Sequence, residues 1–156
     1  MSPPTGVTAM RSATDPRSIR SGLVGYVPGG WDTFHVGHVL LLTRARALCD
    51  HLVAGVVTDK ALTSMKGRPP LIPFAERFEI VQSMAMVDEV VADRSADKRQ
   101  IWQQLSFDLL IKGNDWEGTS KGARLENDMA TVGARVIYLP YTERTSSTRL
   151  RQLLAG

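Results

Sequence analysis

Short apolar segments alternate with longer amphipathic segments along the chain from Leu23 onwards, and this alternation constrains the fold more than any other feature. The apolar segments are rich in valine, leucine and isoleucine, which is typical of strands covered on both faces of a sheet. The predicted strands are LVGYV (23–27), HLVAGVV (51–57), DEVVA (88–92), DLLIKG (108–113) and ARVIYL (134–139).

The segments between these strands have the composition and spacing of helices. The predicted helices are His38–Cys49, Phe74–Met84, Asp97–Leu105, approximately Lys121–Thr131, and Ser147–Leu154. Regular alternation of strand and helix predicts an α/β fold with a parallel sheet, helices on both faces and right-handed crossovers. In such sheets ligands bind in a crevice beyond the carboxyl ends of the strands.

One connection has the composition of a loop rather than a helix. The stretch SMKGRPPLIPF (64–74) contains Gly67, Pro69, Pro70 and Pro73, which do not fit a helix interior. We expect a loop there, and loops beside a crevice can cover a bound ligand.

Length and composition indicate one soluble, cytoplasmic domain. The chain has 156 residues, contains Cys49 as its single cysteine, and has no apolar run of the roughly 18 residues that a membrane span requires. The first 22 residues are rich in Ser, Thr, Pro and Arg and lack the apolar core of a secretory signal. We expect residues 1–22 to form a mobile tail and residues 23–156 to form the domain.

The charge distribution favours a small ligand over nucleic acid. The formal net charge is +3, but the tail holds three arginines and one aspartate, so the predicted domain is almost neutral. A long face that tracks a phosphate backbone would need many more cations, whereas a local basic pocket needs only a few.

Two histidines, His35 and His38, stand immediately before or within the first turn of the first predicted helix. Helix N-termini attract phosphate because their first backbone N–H groups are free and carry partial positive charge. Gly37 lets the backbone approach a ligand closely, and two imidazoles can meet one phosphate from different sides. The pattern favours a phosphate site.

Three other interpretations of this pair stay open on the residues alone. A metal site would need further ligands, and the remaining histidine is His51 while Cys49 is expected to face the core. The histidines can also be capping or core residues without a functional role. Nucleophilic catalysis is the third, but no serine or cysteine elbow accompanies the pair.

The stretch GGWDTFHVGH (29–38) resembles the G-x-F-D-x-x-H-x-G-H signature of cytidylyltransferase-like nucleotidylyltransferases, with Trp31 where phenylalanine is usual. Further blocks follow in that family's order and spacing, and DWEG looks most like glycerol-3-phosphate cytidylyltransferases. These blocks are VVTDK (56–60), the lysine of SMKGRPP, FAERFEIVQSMAMVDEVV (74–91), KGNDWEG (112–118) and YTERTSSTRL (141–150).

The resemblance implies a Rossmann-like enzyme that transfers CMP from CTP to a small alcohol phosphate, with glycerol 3-phosphate as the first candidate. The acceptor phosphate would attack the α-phosphorus in line and release pyrophosphate, with Mg²⁺ accompanying the triphosphate. The alternatives are an ethanolamine-phosphate enzyme, an adenylyltransferase that uses ATP on a sugar phosphate or cofactor precursor, and an inactive nucleotide-binding module. MAMVDEVV resembles the segment near the family's dimer contact and so implies a homodimer.

The same resemblance implies roles for individual residues. The implied catalytic residues are His35, His38, Lys66 and Arg77, and the implied nucleotide-binding residues are Gly30, Trp31, Asp32, Gly37, Asp115, Trp116, Thr142, Ser146, Ser147 and Thr148. No protein ligand is implied for the metal. The chain departs from the family's R-T-E-G block at Tyr141 and Arg144, so Arg144 would supply the displaced positive charge to a phosphate or to the acceptor.

Without the resemblance, several of these residues have simpler interpretations. Lys66 would be a solvated loop lysine and Arg77 a surface residue of a helix. Asp32 would fix a turn or the nearby backbone, Trp116 would belong to the core, and the serines would cap the last helix.

Overall fold

The computed structural model of the chain describes residues 22–140 and 147–155. The described part contains one sheet of five parallel strands in the order β3-β2-β1-β4-β5, which confirms the predicted parallel α/β architecture. The strands are β1 (Val24–Gly29), β2 (His51–Val57), β3 (Glu89–Asp93), β4 (Leu109–Gly113) and β5 (Arg135–Leu139).

Six α-helices and one short 3-10 turn connect or follow these strands within the described residues. The helices are α1 (Val36–Arg46), α2 (Asp59–Lys66), α3 (Phe74–Gln82), α4 (Lys98–Leu105), α5 (Ser120–Val132) and α6 (Ser147–Ala155). The 3-10 turn is Asn114–Trp116 and follows β4 directly. Each of the five predicted helices is present, with its ends displaced by up to three residues.

Helix α2 was not predicted, and the expectation of a loop from residue 64 is wrong for residues 64–66. Thr58 caps this helix by accepting a hydrogen bond from the Ala61 N–H, and Gly67 ends it with φ of 76°. A left-handed residue at that position favours glycine, which has no Cβ. The loop therefore begins at Gly67, and Lys66 becomes the last residue of a helix.

The sheet is covered on both faces, as the apolar strand composition predicted. One face packs Tyr26 and Val53 against residues of α4 and α5 such as Ile101 and Met129. The opposite face packs Val27, Leu52 and Val56 against α1 and α3. Successive residues of a strand point to opposite faces, so Tyr26 and Val27 enter different layers of the core.

A buried polar link joins the central strand to the edge strand β3. The Tyr26 hydroxyl donates to Asp93 Oδ2 at 2.5 Å, and Lys98 Nζ contacts the same oxygen at 2.9 Å. Tyr26 and Asp93 are almost fully buried, and burial, followed by the charge of Asp93, raises the pKa of the Tyr26 phenol well above its usual value. Gly55 on the intervening strand leaves space for the hydroxyl.

The topology positions the site. Strand β1 is central, with β2 on one side and β4 on the other. All three strands are parallel, so their carboxyl ends lie together at the same end of the sheet. The crevice of a doubly wound sheet forms where the strand order reverses, and here that point lies between β1 and β4. No helix in the described residues is long and apolar enough to cross a membrane. The expected tail of residues 1–22 lies almost wholly outside the described residues.

Candidate active site

The loop that follows β1 is anchored by a buried tryptophan. Trp31 has φ of 57°, and its indole Nε1 donates to the Gly55 carbonyl at 2.9 Å. The residue is only 3% exposed, and its ring packs in the core at an angle of 64° to the His38 ring. Trp31 also lines the pocket beside this loop, so its contact with the nucleotide stays a prediction.

His35 and His38 form a reciprocal cap at the start of α1. His35 is the N-cap residue, and its Nδ1 accepts a hydrogen bond from the Gly37 N–H at 3.0 Å. The Nδ1 atom of His38 accepts from the backbone N–H of His35 at 3.1 Å. The two ring centroids lie 4.0 Å apart. This arrangement follows the geometry of a capping box, with imidazoles in place of the usual hydroxyl and carboxylate.

The cap fixes the protonation state of both histidines. A nitrogen that accepts a hydrogen bond carries no proton, so each neutral ring must hold its proton on Nε2. Burial lowers the pKa of His35, and burial followed by the charge of His35 lowers the pKa of His38 to about 4. At neutral pH the pair thus presents two Nε2–H donors, and neither Nε2 has a hydrogen-bond partner within the described part of the chain.

Asp32 connects the β1–α1 loop to two other segments. Its carboxylate accepts hydrogen bonds from the backbone N–H groups of Leu71 and Ile72, each at 2.9 Å, and pairs with the Arg151 guanidinium. The side chain is buried, at 5% exposure. Asp32 therefore holds the 67–73 loop and helix α6 against the crevice.

Arg77 does not occupy the catalytic position that was expected. Its guanidinium is fully buried and donates to three backbone carbonyls, those of Ile72 (2.8 Å), Gly30 (2.6 Å) and Val57 (2.8 Å). A fourth bond goes to Asp59 Oδ1 at 2.6 Å. A guanidinium has five N–H donors, so four are already used and the group is withdrawn from the crevice. Arg77 is a positioning residue in this structure.

These elements enclose a pocket of about 200 Å³ at the carboxyl end of β1, which we call the histidine pocket. It is bordered by the loops after β1 and α2, by α2 itself and by α6. The lining residues are Gly30, Trp31, Asp32, His38, Leu62, Lys66, Arg68, Pro69, Pro70 and Arg151. A methyl group on Gly30 would meet the Leu62 side chain at 3.3 Å, so glycine keeps this wall open.

A second pocket of about 420 Å³ lies on the α5 side of the crevice and is called the indole pocket below. Its lining includes Lys66, which also borders the histidine pocket, together with Trp116 and the α5 residues Lys121 and Arg124. Trp116 is half-buried, and Lys112 Nζ lies 3.4 Å from its ring centroid. Asp115 is exposed in the same turn.

The remaining predicted residues lie at the start of the last helix. Ser147 and Thr148 belong to the first turn of α6, but their side chains lie outside the described residues, as do Thr142, Arg144 and Ser146.

Arg151 was not assigned from the sequence, although the S-S-T-x-x-R pattern ends on it. Lys112 was also missed, because a lysine at the end of an apolar strand gives no local signal.

The described residues contain no group of three or more His, Cys, Asp or Glu side chains that could hold a metal ion. His51 lies at the amino end of β2, where its Nε2 pairs with Glu89 at 3.0 Å. His35 and His38 follow the carboxyl end of β1 and so lie at the opposite end of the parallel strands. The two histidines and His51 therefore cannot share one metal.

Comparison with known proteins gives a consistent family. A family model described as cytidylyltransferase-like matches residues 26–153. A glycerol-3-phosphate cytidylyltransferase from Bacillus subtilis is 32% identical over 129 residues, which cover 82% of this chain and 94% of the relative. An FAD synthase from Thermococcus sibiricus is also 32% identical, over 82% of this chain and 88% of the relative.

The fold is shared with solved structures of low sequence identity. A lipopolysaccharide core biosynthesis protein from Thermoplasma volcanium superimposes with a TM-score of 0.67 at 20% identity. The match covers 80% of this chain and 100% of that one. At this identity the likeness supports the architecture alone.

The histidine cap leads to a testable protonation state. At pH 7.5 we expect both His35 and His38 in the Nε2–H tautomer, and we expect His38 to remain neutral down to about pH 4. Because its folded pKa is depressed, the stability that depends on the neutral ring is complete above about pH 6.5 and is lost as the pH falls toward 4. Long-range ¹⁵N–¹H NMR of the imidazoles measures both quantities. A proton on Nδ1 of either ring at pH 7.5 would contradict the cap.

The contribution of the Arg77 hydrogen bonds to the fold can be tested by measuring the free energy of unfolding of an Arg77 variant. In Arg77→Lys a single ammonium cannot reach three carbonyls and a carboxylate, so buried acceptors lose their donors. We expect the free energy of unfolding to fall by at least about 2 kcal/mol, measured by urea denaturation. The exposed Arg135, changed to Lys in the same way, is the control and should be nearly neutral. Unaltered stability in Arg77→Lys would show that the network does not hold the fold.

Proposed function

Because the chain belongs to the cytidylyltransferase-like family of nucleotidyltransferases, we propose that it transfers CMP from CTP to a small alcohol phosphate and releases pyrophosphate. Glycerol 3-phosphate is the first candidate for the acceptor. The observation that carries the proposal is the histidine cap, which aims two unused Nε2–H donors from the N-terminus of α1. Donors of this kind suit phosphate oxygens whose negative charge grows during the reaction.

The reaction requires positioning more than proton transfer. An oxygen of the acceptor phosphate attacks the α-phosphorus of CTP, and the bond from that phosphorus to the bridging oxygen breaks in line, so the leaving electron pair stays on pyrophosphate. The attacking oxygen is already ionised at neutral pH, so no general base is needed. His35 and His38 donate to the oxygens that gain charge, and no covalent enzyme intermediate forms.

The surrounding residues preorganise this geometry. Lys66 and Arg68 line the histidine pocket together with His38 and bring positive charge to it. Asp32 holds the 67–73 loop through two backbone N–H groups, and Arg77 holds the carbonyls at the ends of β1 and β2. Groups fixed before the substrate arrives need no reorganisation during the reaction.

The nucleotide would extend from the histidines toward the turn after β4 and the start of α6. We assign recognition of the base to Asp115, whose exposed carboxylate can accept from an amino group. The β- and γ-phosphates would lie at the α6 N-terminus with Ser146, Ser147 and Thr148, and Thr142 and Arg144 would complete that side. Arg151, paired with Asp32, fixes the helix that carries these groups.

Mg²⁺ would arrive with the triphosphate and neutralise part of its charge. Asp32 is the carboxylate that lines the histidine pocket, and its oxygens already accept from Leu71, Ile72 and Arg151. Mg²⁺ commonly keeps several waters and takes its other ligands from substrate phosphates, so the residues present fit a metal held chiefly by the nucleotide.

An adenylyltransferase is the second candidate function, because a relative named FAD synthase is as similar to this chain as the glycerol-3-phosphate enzyme. The histidine cap binds phosphate and does not distinguish cytosine from adenine. The turn around Asp115 carries that distinction. An inactive binding module is disfavoured because His35, His38 and Lys66 are all retained.

The proposed activity is tested by Mg²⁺-dependent pyrophosphate release with CTP and ATP in parallel. The acceptor panel is glycerol 3-phosphate, ethanolamine phosphate, ribitol phosphate and sugar phosphates. We expect turnover with CTP and glycerol 3-phosphate, and a loss of about 10²–10³-fold in kcat for His38→Asn. Asparagine keeps an acceptor for the His35 N–H but lacks the Nε2–H donor, so the helix cap is preserved as a control. Turnover with ATP alone would move the protein to the adenylyltransferases, and silence with every pair would favour the inactive module.

We also propose that the protein is a homodimer. The segment 84–91, which resembles the family's dimer contact, leads into β3, the edge strand of the sheet. An apolar groove lined in part by Phe74, Phe78 and Val91 lies beside that edge. We expect light scattering to give twice the chain mass of 17.1 kDa at micromolar concentration. A monomeric mass at all such concentrations would exclude the dimer.

A further inference from the structure

Two lysines lie against the indole ring of Trp116, and a third shares its pocket. Lys112 Nζ lies 3.4 Å from the ring centroid and Lys121 Nζ lies 5.7 Å from it. Lys66 lines the same pocket as Trp116 and Lys121, and its charge reaches Lys112. We refer to Lys66, Lys112 and Lys121 as the lysine cluster. Its members come from three different elements, α2, β4 and α5, so their meeting is a property of the tertiary fold.

The cluster has little counter-charge of its own. No described residue forms an ion pair with any of its three members. Asp115 is the acidic group that acts on Lys112, and Lys98 adds a further positive charge from α4. Asp128 also lines the indole pocket, where its carboxylate lies 3.9 Å from Arg99. Like charges gathered at a partly buried place repel each other, and a bound anion removes that repulsion.

The titration behaviour of Lys112 agrees with this geometry. The pKa of Lys112 is lowered to about 8, chiefly by burial; Asp115 opposes this shift, and the charges of Lys66, Lys98 and Lys121 add to it. A cation over an indole face is itself stabilised by the ring, so Trp116 favours the charged form and orients the ammonium group. A bound anion would raise the pKa again.

The position of the cluster indicates which substrate it serves. The triphosphate is expected at the N-termini of α1 and α6, and residues of those helices, His38 and Arg151, line the histidine pocket. The indole pocket is lined by residues of α2, α5 and the connections before α4 and α5, with none from α1 or α6. Lys66 belongs to both pockets and therefore marks their junction. At about 420 Å³ the indole pocket is in the usual range for a small-molecule site.

We propose that the lysine cluster is the acceptor subsite, in which Lys112 and Lys121, oriented by Trp116, hold a phosphomonoester dianion beside Lys66. This inference rests on the proposed function and adds to it two residues, Lys112 and Lys121, to which the sequence motifs assigned no role. Trp116 is then a platform for the lysines and for the carbon skeleton of the acceptor. The cluster selects acceptors by their phosphate, and the indole pocket sets the size of the group attached to it.

A pH dependence follows from the charge on Lys112. Phosphomonoesters have a second pKa near 6, so the acceptor is a dianion throughout the range from about pH 7.5 to 9. Lys112 holds the anion only while protonated, so acceptor affinity is fully present below its pKa and declines as the pH rises through it. The charged groups that face Lys112 are Asp115, Lys66, Lys98 and Lys121.

The test uses the full chain with glycerol 3-phosphate as the probe and uncharged glycerol as the matched ligand. Calorimetric titration measures the Kd of the probe directly, and steady-state kinetics measure KM separately for CTP and for the acceptor. Lys112→Met keeps an unbranched stem over the indole and removes the charge. We expect it to raise the Kd and KM for glycerol 3-phosphate by about 10-fold or more, with KM for CTP within about twofold.

Two further variants make the result specific. Lys112→Arg keeps the charge at all these pH values, so it should bind the probe within about threefold of the unaltered protein and lose the decline between pH 7.5 and 9. Arg135→Gln removes an exposed cation at the amino end of β5, on the far edge of the sheet, and should change neither constant. If Lys112 had only a structural role, the decline in acceptor affinity between pH 7.5 and 9 would persist in Lys112→Arg.

The outcomes separate this inference from the proposed function. Absence of turnover with every nucleotide and acceptor would overturn the proposed function, and weaker binding of glycerol 3-phosphate to Lys112→Met would still support the subsite. No binding of the probe at millimolar concentration, an effect of Lys112→Met confined to CTP, or an equal loss in Arg135→Gln would each overturn the subsite.

Discussion

One buried guanidinium joins the segments from which the crevice is built. Arg77 donates to the carbonyl that follows β1, to the last carbonyl of β2, to the 67–73 loop and to the first residue of α2. Carbonyls at the carboxyl ends of parallel strands have no partner within the sheet, and burying them unpaired would cost about 1–3 kcal/mol each. A single planar group with several donors satisfies two such carbonyls, those of Gly30 and Val57, together with the loop carbonyl of Ile72, and fixes their relative positions.

The site is completed by a second buried charge of opposite sign. Asp32 accepts hydrogen bonds from two backbone N–H groups of the same loop, while its pair with Arg151 attaches the last helix. Burying charged groups is unfavourable unless each is hydrogen-bonded, and both Asp32 and Arg77 meet that condition. The 67–73 loop is therefore held by its carbonyl at Arg77 and by its N–H groups at Asp32, which accounts for an ordered wall made largely of glycine and proline.

Positive charge in the crevice comes from lysine and arginine rather than from histidine. The cap makes each Nδ1 an acceptor, so His35 and His38 stay neutral and act as directed donors, in agreement with the lowered pKa of both rings. Lys66, Arg68 and the lysine cluster supply the charge that attracts substrates. Because the histidines supply directed hydrogen bonds while lysine and arginine supply the charge, no protonated histidine is needed at the positive end of a helix.

The sequence by itself determined the parallel α/β fold, the family and five of the six helices that the structure describes, because these depend on local periodicity and on motifs whose residues are close together in the chain. The loop role of Asp32 was one of the alternatives that its position after a strand suggested.

Only the tertiary structure decided that Arg77 is buried, that Trp31 is a core anchor, and that Lys112 meets Lys121 over Trp116. Helix α2 was missed since the glycine and prolines that follow it dominate the local pattern. Arg77 binds carbonyls that are distant in the sequence, the farthest being that of Gly30, 47 positions away. No spacing along the chain indicates which carbonyls the folded sheet leaves without donors.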